Sequence, residues 1–153
     1  MPLKIRINSG NTSNGLLDLS DRGSTNANRR NVINWDIKNN SNVGEITLIE
    51  VKSTSRDIFS SLAPTTNRPW TKWQGIVKPD APYIDCFYTI RWKDKAGNGP
   101  YEHDPKIAVK PITVDPLIAI SIIVIASLAS LFLYHFFKDP KRTTKKMKVK
   151  DLR

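Results

Sequence analysis

Apolar and polar residues alternate in several stretches of residues 1–110, and each such stretch predicts a β-strand. The clearest one runs from Tyr83 to Lys93, where every second residue from Ile84 to Trp92 is apolar or aromatic. A period of two places these side chains on one face of a strand, which is typical of a sheet with one buried face. Further strands are predicted at 3–7, 32–37 and 73–78. Residues 46–52 alternate less cleanly but are rich in β-branched residues, which predicts a strand buried largely on both faces.

The segments between these stretches predict turns and loops. Residues 8–31 are rich in Asn, Ser, Thr and Gly and indicate one long loop, interrupted only by three leucines. Residues 57–59 are compatible with a single helical turn, and residues 63–75 indicate a loop that leads into the next strand. The turn residues at 95–99 then predict a terminal β-hairpin, whose second strand lies within 101–110.

About six or seven short strands, with no convincing amphipathic helix among them, predict an all-β domain. The turn signals between the strands favour an immunoglobulin-like or related Greek-key β-sandwich. Cys86 is the only cysteine, so the cysteine pair of immunoglobulin domains is missing and no internal disulfide can form.

A different pattern follows this domain. From Leu117 to Phe137 the chain has 21 residues without Asp, Glu, Lys or Arg. As an α-helix this run would extend about 31 Å, which matches the hydrocarbon core of a bilayer. Asp115 can cap such a helix and Pro116 suits its first turn. The sequence therefore predicts a β-sandwich head at 1–115, one C-terminal transmembrane α-helix at 116–137 and a basic tail at 138–153.

Charge is distributed unevenly over these three parts. The formal net charge is +10; the tail has eight Lys or Arg against two Asp, a net +6, which leaves +4 for the head. Basic residues beside a membrane helix have anionic lipid headgroups as their nearest partner, so we expect lipid contact and no nucleic-acid binding. The predicted lipid-contacting residues are Lys138, Lys141, Arg142, Lys145, Lys146, Lys148 and Lys150.

The same charges predict the orientation in the membrane. Eight basic residues follow the helix, whereas only Lys106 and Lys110 lie within about 20 residues before it. This difference favours a cytoplasmic tail and an extracytoplasmic head. The competing topology is a tail-anchored protein with a cytosolic head, because Met1 to Lys4 opens a strand-like segment rather than a leader peptide.

Candidate metal ligands are few. Glu102, His103 and Asp104 are adjacent, but a structural zinc site usually needs four Cys or His ligands, and the other histidine, His135, lies in the predicted membrane helix. A copper site would need a second histidine in the head, and often a methionine. We therefore predict no metal and no other cofactor, and we interpret His103 as a solvated residue of the hairpin.

Groups for catalysis are equally sparse. His103 is the only histidine in the head that could act as a base, and the sequence pattern directs Cys86 toward the core. Gly97 and Gly99 belong to a hairpin turn and are not followed by the helix that a phosphate-binding loop requires. The sequence therefore predicts a protein that is not an enzyme.

The four tryptophans fall into two groups. Trp35 and Trp92 lie on the apolar faces of predicted strands, and we expect both in the core. Trp70 and Trp73 lie in or beside a proline-containing loop, where exposed rings form a candidate interaction surface for a protein or a sugar. The interpretation that we favour is that these two rings close one end of the sandwich.

These patterns together predict a non-catalytic, membrane-anchored accessory or structural interaction module of a larger membrane assembly, which includes a membrane-containing virion. One alternative is a carbohydrate-binding module that uses the loop aromatics, and another is a small membrane effector or enzyme subunit. Ala119, Ala126 and Ser130 are small residues near one face of the predicted helix and are candidates for helix packing.

Overall fold

The computed structural model describes residues 1–111, 127–131 and 133–134. The chain divides after Ile112 into two units. Residues 127–131 and 133–134 are helical. Within the described ranges no helix has both the length and the apolar character needed to cross a membrane. Most of the predicted transmembrane helix, with Ala119 and Ala126, and the whole basic tail lie outside these ranges.

The first unit is built from ten β-strands in the described part of the chain. In order they are β1 (Leu3–Gly10), β2 (Leu17–Leu19), β3 (Ser24–Ala27), β4 (Val32–Ile37), β5 (Val43–Val51), β6 (Phe59–Pro64), β7 (Lys72–Val77), β8 (Asp85–Asp94), β9 (Tyr101–His103) and β10 (Lys106–Val109).

These strands form two mixed sheets. Sheet 1 has the order β2-β1-β4-β7-β6, in which β1 and β4 run parallel and the other neighbours antiparallel. Sheet 2 has the order β3-β10-β8-β5, with β3 and β10 parallel. The short strand β9 pairs with β8 at Ile90 to Trp92, next to the part of β8 that pairs with β10. Non-consecutive strands are therefore neighbours in both sheets.

A single hydrophobic core combines residues of both sheets, which makes the unit an all-β, sandwich-like structure. The largest of the fully buried side chains are Trp35, Trp92, Tyr88, Ile5, Ile7 and Ile33. Burial of this apolar surface is the main favourable contribution to folding, at about 25 cal/mol for each Å² removed from water.

The buried indoles also hydrogen-bond across the core. Trp35 Nε1 in β4 donates to the Tyr88 hydroxyl in β8, at 3.1 Å. Trp92 Nε1 in β8 donates to the Gly15 carbonyl, at 2.9 Å, and therefore fixes the loop before β2. A buried indole N–H without an acceptor would be costly, so these bonds select one arrangement of the rings.

Several strand predictions are confirmed. The prediction for 83–93 corresponds to β8, in which Cys86, Tyr88, Ile90 and Trp92 are all buried. The terminal hairpin is also confirmed, although its return is divided into β9 and β10 on either side of Pro105. Proline has no N–H to contribute to a ladder, which accounts for an interruption at this point.

The predictions of a loop at 8–31 and of a helical turn at 57–59 are wrong. Residues 8–31 contain the end of β1 and all of β2 and β3, because Thr25 and Ala27 alternate inward and β3 pairs with β10. Residues 57–59 form no helical turn, since Phe59 is buried and begins β6 opposite Val77. At 8–31 the polar composition hid a strand, β3, whose partner β10 lies far along the chain, whereas β6 pairs with the next strand, β7.

Candidate functional site

Trp73 lies in the core rather than on a loop. Its strand, β7, begins one residue earlier, so the alternation of the strand directs Trp73 inward, where it is 5% exposed. Its Nε1 donates to the carbonyl of Ile46 in sheet 2, at 3.2 Å. The Trp73 ring therefore packs below the protein surface and is not itself accessible to a partner.

Trp70 is half-buried beside it. The two indoles meet edge to face, with ring centroids 6.0 Å apart and planes at 86°. The backbone carbonyl of Trp70 accepts a hydrogen bond from Ile46 N at 2.9 Å, which ties its loop to β5. This anchoring holds Trp70 at the margin of the core, with part of its ring in solvent.

Arg68, which the sequence pattern did not single out, lies beside Trp70 at this margin of the core. The guanidinium of Arg68 lies 4.5 Å from the centroid of the Trp70 ring, a cation–π distance. The signal in the sequence is the run Arg68, Pro69, Trp70, in which a cation lies two residues before an aromatic side chain. Arg68 and Trp70 are hereafter the Trp70 margin. Its role in binding stays a prediction.

Cys86 is fully buried on β8. Burial raises the pKa of its thiol to about 11, so the thiol stays protonated at neutral pH and is a poor nucleophile. Its Sγ is directed toward the carbonyl of Phe87, at 3.9 Å, and not toward a histidine. No group of three or more His, Cys, Asp or Glu that could hold a metal ion occurs among the described residues.

The prediction of a solvated His103 is wrong for its ring nitrogens. Both Nδ1 and Nε2 are buried, and neither has a hydrogen-bond partner within the described part of the chain. Strand β9 places His103 opposite Ile90, next to the core. The nearby carboxylate of Asp104 is already bonded to Lys52 Nζ at 2.6 Å and to the Thr89 hydroxyl at 2.7 Å.

The surroundings of His103 predict a pH-dependent stability. Desolvation lowers the pKa of its imidazole, although the charges of Asp104 and Asp21 oppose the shift. Because the unfolded chain then binds a proton more readily than the folded one, stability is lost as the pH falls below the ordinary value of about 6.5. Chemical denaturation between pH 7.5 and 5.5 should show this loss, and the His103→Gln variant should show a flatter profile. Identical profiles would contradict the assignment.

No protein-family model matches the chain, and no curated protein is significantly similar to it.

Proposed function

We propose that the protein is a non-catalytic, single-pass membrane-anchored interaction module, an accessory or structural component of a larger membrane assembly such as a membrane complex or the membrane of a virion. The observation that carries this proposal is the run of 21 residues without a charged side chain, from Leu117 to Phe137, which directly precedes a tail of net charge +6. Such a run is long enough to cross a bilayer as one helix.

The head suits a binding role better than a chemical one. In the described part of the chain, the Cys86 thiol and the His103 ring are buried and are not paired as nucleophile and base. Two sheets that share one core support a β-sandwich head, which presents its loops at the two ends. The immunoglobulin-like or related Greek-key type is the finer proposal, and the parallel pairs β1–β4 and β3–β10 depart from its antiparallel sheets.

The Trp70 margin is the proposed contact for a protein partner. Aromatic and arginine side chains are the residues most often responsible for binding energy in protein interfaces. A carbohydrate platform is less well supported, because Trp73 is buried and Arg68 already covers part of the Trp70 ring. Two coplanar exposed rings are therefore not available to a sugar.

The tail is proposed to lie on the cytoplasmic side, with its lysines at the anionic headgroups and the head outside the cytoplasm. Each basic residue near such a surface contributes about 1 kcal/mol of attraction, which salt weakens. A tail-anchored arrangement with a cytosolic head is the alternative.

Membrane fractionation tests the anchor. The full chain should remain with membranes after alkaline extraction and should require detergent to dissolve, whereas residues 1–115 alone should stay in the soluble fraction. A matched control of full length is the double variant Val124→Lys and Leu128→Lys, which should be released. Two charges at the centre of the run cost about 5–7 kcal/mol of insertion free energy.

A full chain that is soluble and monomeric in plain buffer would contradict the anchor. Purification in mild detergent then separates the functional alternatives, since an accessory subunit should retain a partner in fixed stoichiometry. That partner should be lost from an Arg68→Ala and Trp70→Ala variant. Sugar binding on a glycan array would instead favour the carbohydrate module.

A further inference from the structure

The outer face of sheet 2 carries ion pairs that neutralise most of its charge. Arg91 contacts Glu50 at 3.1 Å and Glu102 at 2.7 Å. Two lysines on the same face are also paired: Lys52 with Asp104 at 2.6 Å and Lys106 with Asp85 at 2.8 Å. Lys93 is a cation of β8 without such a contact among the described residues.

The outer face of sheet 1 is different. The strand register places Arg6 of β1 and Lys72 of β7 on either side of Asp36 in β4, in one row across the sheet. Side chains opposite one another on adjacent strands lie about 4.5–5.5 Å apart at Cβ, so the sheet itself holds these groups together. Lys38 follows just beyond the end of β4.

The cations of this row are not neutralised. Within the ranges that the structure describes, the side chains of Arg6, Lys38 and Lys72 have no hydrogen bond and no ion pair. The carboxylate of Asp36 is instead approached by Lys4, whose Nζ lies 4.0 Å away. Three cations therefore face solvent together on the outer face of sheet 1, whereas most charges on the outer face of sheet 2 are paired.

These cations line an open pocket of about 520 Å³. This volume lies within the range of about 300–1,000 Å³ that is typical of sites for small ligands. Its three cations and one carboxylate give a net charge of +2, and its asparagines add neutral hydrogen-bonding groups. The residues around it are Arg6, Asp36, Ile37, Lys38, Asn39, Asn40 and Lys72.

We propose that this pocket binds a phosphate group, carried either by a small soluble molecule or by a lipid headgroup. A phosphate monoester carries a charge of about −1.5 to −2 near neutral pH, which balances the charge of the pocket. The planar guanidinium of Arg6 can bind two phosphate oxygens at once, and Lys38 and Lys72 supply mobile charges around it. Asp36 lies between Arg6 and Lys72 in the row, and its carboxylate also interacts with Lys4. The proposal does not depend on the membrane anchor.

Calorimetric titration of the full chain in detergent with inositol trisphosphate tests the proposal. The variant Arg6→Gln and Lys72→Gln should weaken binding about tenfold or more, since each removes a charge-assisted hydrogen bond. The matched control is Lys93→Gln and Lys110→Gln, which removes the same charge elsewhere in the first unit and retains the basic tail. It should change the affinity by less than about twofold. Binding should weaken as salt is added.

Two further measurements keep the test decisive. In the unmodified protein, the probe should shift the amide resonances of residues 37–40. The charge-conserving variant Arg6→Lys and Lys72→Arg should retain most of the binding, and circular dichroism should confirm that every variant is folded. Equal weakening by the glutamine variant and its control, or unmoved amides at 37–40, would overturn the proposal.

The source of the phosphate is decided by a parallel measurement. The full chain is reconstituted into phosphatidylcholine vesicles, with and without phosphatidylinositol bisphosphate, and the amides of residues 37–40 are compared. Shifts that require the phosphorylated lipid and vanish in the Arg6→Gln, Lys72→Gln variant support a headgroup. Shifts that appear only with soluble inositol trisphosphate support a small molecule.

Discussion

Replacing Trp92 with alanine should lower the free energy of unfolding by about 3–5 kcal/mol, a large share of the 5–15 kcal/mol typical of a domain. The Trp92 side chain is 0% exposed and packs beside Tyr101, with ring centroids 4.6 Å apart. Its Nε1 also donates to the Gly15 carbonyl, so the substitution leaves a cavity and removes the partner of a buried acceptor.

Phe87 provides a matched control on the same strand. It is an aromatic residue of β8 that points to the other face and is 46% exposed. Phe87→Ala should cost less than about 1 kcal/mol, since much of its surface already contacts water. Chemical denaturation of the full chain in detergent, followed by far-ultraviolet circular dichroism, gives both values. Similar losses for the two variants would show that Trp92 is not a central core residue.

The sequence alone predicts this contrast between a buried and an exposed aromatic residue of β8. In β8 every second residue from Cys86 to Trp92 is apolar or aromatic, and Phe87 is the one apolar residue at the alternate positions. The strand, its buried face and the burial of Trp92 therefore follow from the local pattern. β4 was predictable for the same reason, because Ile33 and Trp35 alternate with polar residues. The all-β class then follows from the number of such strands.

Strands β2, β3 and β6 could not be recognised in this way. β3 is the segment Ser24 to Ala27, whose composition is that of a loop. Its hydrogen bonds are made with β10, which is the last strand of the unit in sequence order. The stability of such a strand resides in a pairing between residues about 80 positions apart, which no local period reports. β6 was missed for a different reason: only Phe59, at its beginning, is buried, so the strand lacks a clear apolar face even though its partner is the next strand, β7.

The candidate sites show the same limit. The proximity of Trp70 to a proline suggested exposed rings, but β7 starts at Lys72 and therefore turns Trp73 inward. The row of Arg6, Asp36 and Lys72 depends on the parallel pairing of β1 with β4, which places residues from three separate strands side by side. Without the strand order, these three charges are unrelated positions in the sequence.

A side-chain carbon added at Gly10 should destabilise the first unit, because the backbone at this position lies against the Trp92 ring. A Cβ atom at this position would overlap the Trp92 indole, at 2.7 Å from both Cζ2 and Cζ3. The indole is held by its hydrogen bond to Gly15 and by surrounding core residues, so it has little freedom to withdraw. Gly10→Ala should therefore cost about 1–3 kcal/mol through overpacking.

A double-mutant cycle gives this prediction an internal control. If the cost of Gly10→Ala arises from the Trp92 ring, the same substitution in the Trp92→Ala background should cost much less, because the methyl group then enters space that the ring has left. The coupling free energy between the two positions should reach about 1–3 kcal/mol, as expected for residues in direct contact. Additive losses would instead show that Gly10 is required by its own backbone, and that the indole does not rest on it.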